Sequence, residues 1–175
     1  MIFHRVNYMH QFQILQILRE KFVLVTARGA YSADLDWRAQ LSDLPLVQYS
    51  EAMPMGRMVS THLKRIGFYA PRRFSFEASR SVIATVARTG GWTLTTPLSI
   101  LDAGRFKDQI DLSTLPFAGL SRQIYLINRV DELGSLPETL ARQFRALLQQ
   151  EAVREFARMA PHMTGSIEVC HELLV

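Results

Sequence analysis

This sequence predicts an α/β fold in which a largely parallel sheet is flanked by helices, and three observations lead there. Short apolar runs rich in β-branched residues alternate along the chain with segments whose apolar residues recur at helical spacing. The connections between them are short, as in strand–helix–strand units. At 175 residues, 48% hydrophobic and 21% charged, the chain can bury a core as one domain or as two small lobes.

The elements follow in order. Met9–Lys21 carries Phe12, Ile14, Leu15, Ile17 and Leu18, too many apolar positions for a clean stripe, and fits either a helix or a strand. Phe22-Val-Leu-Val-Thr-Ala27 is a compact buried strand closed by Arg28-Gly29, and Leu44–Tyr49 is a second strand ended by Ser50. Met55, Met58, Val59, Leu63 and Ile66 mark a helix that Gly67 stops. Arg73–Ala78 alternates with period two. Ser79 then caps a helix whose inner face is Val82, Ile83 and Val86, and Gly90-Gly91 ends it. Trp92–Thr96 is a strand running into Pro97, and Ser121–Arg129 is another. Ser135-Leu-Pro-Glu138 has the form of a capping box opening the longest helix. The expected core stripe of that helix is Leu140, Phe144, Leu147, Leu148, Phe156 and Met159. Ala160-Pro161 breaks it, and the segment from His162 to the end fits no element.

Composition excludes several functions. No apolar run has the length of a membrane span, and the first residues lack the form of a secretory signal. A single cysteine, Cys170, allows no internal disulfide, so a cytoplasmic location is expected. The net charge is +4, but the 20 basic residues are spread along the chain with acidic residues among them, so direct binding of DNA is not expected. No nucleophile elbow, phosphate-binding glycine loop or zinc-protease motif occurs, and no catalytic residue is assigned. His162, Cys170 and His171 resemble a metal cluster only in residue type, and neither metal nor cofactor is expected.

The junctions between elements resemble the effector-binding domain of LysR-type transcriptional regulators, from about Leu18 to about Leu148. The pieces are Arg19–Ala27, Leu41–Ser50, Met55–Gly67 followed by Pro71, Phe76–Ser79 with Val82–Ala87 and Gly90…Pro97, and Phe117–Arg129 with Leu136–Leu148. The resemblance implies a periplasmic-binding-protein type II-like lobe with a partial remnant of the other lobe. It divides the chain into an unassigned segment 1–17, a second lobe 18–120, the C-terminal part of the first lobe 121–159, and a tail 160–175. The sequence departs from the family in two respects. Nothing before Leu18 supplies a winged helix-turn-helix or most of a first lobe, and Trp92 stands where the family usually has a second glycine.

In such a domain the effector lies between lobes, and the resemblance assigns it Gln48, Tyr49 and Ser50 from one strand end and Glu77, Ala78 and Ser79 from another. Ligands in open α/β folds sit outside the carboxyl ends of strands, which supports both triplets. The Ser79 hydroxyl with the free N–H groups of the helix after it would cradle a carboxylate, and Trp92 or Tyr49 would supply an apolar wall. Each has a plainer reading beside it: Ser79 as a cap alone, Glu77 as surface charge, Tyr49 and Trp92 as packing. The implied function is sensing of a small anionic or aromatic metabolite by a homodimer or higher oligomer. DNA would be reached only through a winged helix-turn-helix domain outside this chain, and no membrane is involved. The alternative is a stand-alone or degenerate ligand-binding or interaction module with no role in transcription.

Overall fold

A computed structural model of the chain describes residues 11–170 except Pro71 and Asp131. His171 and the segment 1–10 lie outside the described residues, as does the proline expected after the second helix. Two open sheets share the chain. The larger has the order β4-β3-β5-β2-β6, from β2 (Val23–Ala27), β3 (Leu46–Tyr49), β4 (Arg72–Phe76), β5 (Trp92–Thr95) and β6 (Ile110–Ser113). The smaller has the order β7-β1-β8, from β1 (Phe12–Lys21), β7 (Ser121–Arg129) and β8 (Ile167–Val169).

The α/β class stands, but the pairing is mixed rather than largely parallel. β4, β3 and β5 run parallel, whereas β2 is antiparallel to β5 and β6, and the smaller sheet is antiparallel throughout. The reason is connectivity: β1 runs straight into β2, which therefore enters the larger sheet from the opposite end to the strands that helices return. β2 is buried along its whole length, which is why it reads as an unbroken apolar run.

Helices cover both faces of the larger sheet. α1 (Trp37–Asp43) and α2 (Pro54–Arg65) bury Leu41, Val59 and Leu63 against Leu24, Leu46, Trp92 and Leu94. On the other face, α3 (Ser79–Thr89), α4 (Pro97–Asp102) and α6 (Arg154–Met159) bury Val82, Ile83, Val86, Ile100 and Phe156 against Val23, Val25, Val47 and Tyr49. Gly90 ends α3 at φ 71, a left-handed conformation that costs glycine little.

Three details correct the sequence reading. The undecided segment before Lys21 is strand β1, because β7 and β8 pair with it on either side. The tail after Pro161 forms a short 3-10 turn and β8, and buries Met163 and Ile167 in the main core. The long helix buries only the later part of its expected stripe: Phe156 lies in the core with Leu148 and Met159 packed against it, but α5 (Leu136–Leu148) buries Pro137, Ala141 and Arg145, while Phe144 is 44% and Leu147 56% exposed. Nor is its capping box formed. Ser135 has φ −87 and ψ 5, outside the extended geometry a cap needs, and the Glu138 carboxylate accepts from Gln13 of β1 instead.

A π-turn at Gln149–Val153 joins α5 to α6, so one bent rod packs α5 on the smaller sheet and α6 on the larger.

Candidate effector-binding edge

Because β3, β4 and β5 are parallel, their carboxyl ends lie along one edge, and each leads into a helix whose N-terminus faces that edge: α2 after β3, α3 after β4, α4 after β5. The turn after β3 is fixed by Ser50 N donating to Phe76 O at 2.8 Å, which sets Ser50 beside the Glu77–Ser79 turn. The Ser50 hydroxyl accepts from Ala52 N at 3.2 Å. Gly56 lets α2 approach this turn: a Cβ there would meet Ser50 O at 2.1 Å and Tyr49 O at 2.5 Å.

Period-two geometry decides which of the predicted site residues share the edge. Gln48 is buried on the α2 face, where its amide donates to Gly56 O at 3.2 Å and Ser60 Oγ at 2.6 Å and so pins α2 to the sheet. Tyr49 points to the opposite face under α3. It is buried, and its hydroxyl is 2.7 Å from Thr95 Oγ1. Glu77 and Ala78 are exposed and Ser79 half-buried.

Ser79 is not the cap: Ala78 occupies that position, Ser79 is the first helical residue, and no side chain caps α3. β4 ends at Phe76, which gives the turn residues Glu77 and Ala78 and moves the helix start by one. The backbone N–H groups of the first turn of α3 are thus left uncapped by side chains, the condition that favours an anion. Trp92 is fully buried with Nε1 donating to Leu41 O at 3.0 Å and its ring near Phe68, on the far face of the sheet from Tyr49.

Sequence reasoning missed the strongest polar cluster at this edge. Glu20 of β1 is paired in register with Arg122 of β7 where both strands pass from the smaller sheet to the larger. Glu20 is 0% exposed. Its Oε1 accepts from Arg122 Nε at 2.6 Å, and its Oε2 accepts from Leu98 N, in the first turn of α4, at 3.2 Å. Arg122 Nη2 also donates to Thr96 Oγ1 at 3.1 Å, and Thr96 Oγ1 lies 3.2 Å from Ser99 Oγ. Arg122 keeps 24% of its side chain exposed. Little in the sequence signalled it: Glu20 stands between Arg19 and Lys21 like a surface charge, and only Arg122 at the start of the Ser121–Arg129 strand offered a counter-charge. On the rim, the Glu51 carboxyl is held below the usual carboxylate range by the Ser60 hydroxyl first, with Arg72 and Lys64 adding to the effect.

The largest cavity described is elsewhere. About 660 Å³ in volume, it is bordered by Arg28, Lys107, Asp111, Arg158 and His162, at the amino-terminal end of the parallel strands. Among the described residues no three His, Cys, Asp or Glu side chains are grouped to hold a metal ion, and no helix is long and apolar enough to cross a membrane.

Comparison with known proteins gives the architecture its context. A family model described as the LysR substrate binding domain matches residues 1–153, a span that includes the segment 1–17. Among solved structures, the effector-binding domain of QuiR in complex with shikimate superposes with TM-score 0.58 at 13% identity, over 80% of this chain and 66% of that one. The regulatory domain of HypT from Salmonella typhimurium superposes with TM-score 0.60 at 17% identity, over the same shares. The Synechocystis PCC6803 CcmR regulatory domain in complex with 2-PG gives 0.64 at 12% identity, over 84% of this chain and 72% of that one. The chain thus spans about two thirds of the length of the QuiR and HypT domains it resembles. No curated protein sequence matches it.

Proposed function

The chain belongs to the LysR substrate-binding domain family, a family of regulatory domains rather than enzymes, and from that premise we propose that it binds a small anionic or aromatic effector. The site is the edge where β3, β4 and β5 end. The observation that carries this reading is that the uncapped first turn of α3, after β4, and Thr96, after β5, lie along the same strand-end edge, with the partly exposed Arg122 bonded to Thr96. An anion seated there meets backbone N–H groups, the positive end of a helix and a guanidinium with donors to spare. Ser50 and Ser79 supply the neighbouring hydroxyls. Tyr49 acts through Thr95, and Gln48 through α2, so both hold the edge in shape rather than face the ligand. QuiR with shikimate and CcmR with 2-PG show that related folds hold small molecules, and both ligands are compatible with such an edge.

Binding works by population shift: the effector favours one disposition of the second lobe (18–120) against the first-lobe part (121–159) and so biases an oligomer. The Glu20–Arg122 pair lies at the crossing between them. Contact with DNA belongs to a winged helix-turn-helix outside this chain, and the cytoplasm is the compartment. Thermal melting with shikimate, benzoate and inorganic phosphate tests the reading. At least one raises the melting temperature, and Ser79→Asp, which sets a carboxylate at the start of α3, abolishes the rise. Stabilisation that survives Ser79→Asp unchanged places the ligand elsewhere.

A further inference from the structure

The cavity of about 660 Å³ lies against an edge of the larger sheet: β6 borders it, and among the described residues no strand lies beyond β6. Arg28 N donates to Gln109 O at 3.0 Å in the register of the β2–β6 ladder, so the backbone groups of Gln109 and Asp111 face β2. Alternation then turns the N–H and C=O of Ile110 and Leu112 outward, toward the cavity both residues line. The Leu112 carbonyl is engaged, because His162 Nε2 donates to it at 3.1 Å. Ile110 opens the strand directly after the 3-10 turn Gly104–Gln109. Between that turn and the His162 ring, the edge offers a ligand one complete pair of backbone groups, that of Ile110.

Charges of both signs stand around this pair. Lys107 and Asp108 come from the 3-10 turn before Ile110, and Glu155 and Arg158 come from α6. Among the described residues none of these four enters an ion pair, although all border one space. Asp111 differs: its Oδ2 accepts from Gly29 N at 2.7 Å and its Oδ1 lies 3.9 Å from Arg28 Nε, so its charge is already met. A bare anion in this cavity is repelled by Asp108 and Glu155, and a bare cation by Lys107 and Arg158. A ligand that carries both charges satisfies both sets.

We propose that this cavity is a second ligand site and that it takes a free L-α-amino acid with an apolar side chain. The amino acid sits opposite Ile110 as a single residue of an added antiparallel strand. Its ammonium donates to the Ile110 carbonyl and its carboxylate accepts from the Ile110 N–H. Lys107 and Arg158 balance the carboxylate, and Asp108 and Glu155 balance the ammonium. Residues paired across an antiparallel ladder turn their side chains to the same face. Ile110 is buried in the core that α6 covers, so an L side chain lies on that face, where Met159 borders the cavity. A D-amino acid holding the same two bonds turns its side chain off that face. The cavity is at the opposite end of the parallel strands from the effector edge, and its ligand does not depend on that site.

An NMR chemical-shift titration of the full chain with L-leucine, L-methionine and L-phenylalanine tests it. At least one is expected to shift the amides of residues 107–112 and 155–162 saturably at millimolar concentration. For that amino acid, the N-acetyl derivative lacks the ammonium and the amide derivative lacks the carboxylate, and each binds about tenfold more weakly or worse, as does the D-enantiomer. Glu155→Gln and Arg158→Gln, both at exposed positions, each weaken binding several-fold, and circular dichroism confirms that each variant is folded. Silence of these two segments toward all three amino acids overturns the proposal. So does an N-acetyl derivative that binds as well as its parent, since the cavity is then an anion site only. Shifts gathered at Ser50, Ser79 and Thr96 instead place the amino acid at the strand-end edge and also overturn it.

Discussion

The Glu20–Arg122 pair offers the sharpest stability test, because its two partners differ in burial. Glu20→Gln keeps the shape and one oxygen, and so retains an acceptor for Arg122 Nε or Leu98 N but not for both with full charge. Breaking a fully buried ion pair by removing one partner costs about 3–5 kcal/mol. Here the partner left behind is Arg122, whose side chain is 24% exposed and can draw on water, which lowers the expected loss to about 2–3 kcal/mol. With a urea dependence of about 2 kcal/mol per molar, the unfolding midpoint falls by about 1 M.

Arg122→Gln is the harsher change, about 3–5 kcal/mol, since it strands a carboxylate that is 0% exposed. The double variant recovers part of that, with a coupling of about 1–3 kcal/mol. Two results refute the reasoning: a Glu20→Gln midpoint within about 0.2 M of the parent chain, or strict additivity in the double variant.

Further outcomes follow from the same geometry. Gly56→Ala drives a Cβ into the Ser50 and Tyr49 carbonyls and costs about 3 kcal/mol or more, whereas Gly90→Ala, with open space around it and φ 71, costs only about 1 kcal/mol of backbone strain; thermal melts of the pair separate steric clash from strain. Trp92→Phe loses the bond to Leu41 O and some core volume, about 2–3 kcal/mol, yet leaves affinity for any effector unchanged in a titration, because its ring faces away from the edge. Burial lowers the His62 pKa from its ordinary 6.5; a backbone hydrogen bond with Ala118 opposes that in part, and the neighbouring Arg65 adds a smaller lowering. The folded chain therefore resists a proton that the unfolded chain takes up. Stability is full above pH 6.5 and declines as pH falls from there toward the folded value; urea midpoints on either side of 6.5 show the decline, and His62→Gln removes it.

How much of this was legible depends on how each residue signals its surroundings. β2, β3, β5 and the helices α2 and α3 were readable because their apolar period matches the layer they pack against, and Gly67 and Gly90 mark helix ends at φ 64 and φ 71. β1 was not, because its apolar residues follow neither period: Leu15 and Ile17 face α5, Ile14 faces outward, and the bulge after Gln16 shifts the alternation. The stripe of α5 misled for a related reason. Periodicity reports an apolar face, but the neighbour that face meets is not encoded in the spacing, and here Ala141 and the Arg145 stem face the sheet while Leu136, Phe144 and Leu147 face out.

At the site, the two strand ends were found from the rule for parallel sheets. The direction of each side chain was not, so Gln48 and Trp92 fell on the far face. Glu20 and Arg122 are 102 positions apart in the sequence, and only the β1–β7 register brings them together.

Nitrogen–proton NMR chemical-shift mapping with shikimate, benzoate and phosphate tests the central claim most directly. Perturbations grouped at Ser50, Ser79, Arg80, Thr96 and Arg122 are the predicted result. Perturbations confined to the cavity bordered by Arg28, Lys107 and Arg158, with the strand ends silent, contradict it.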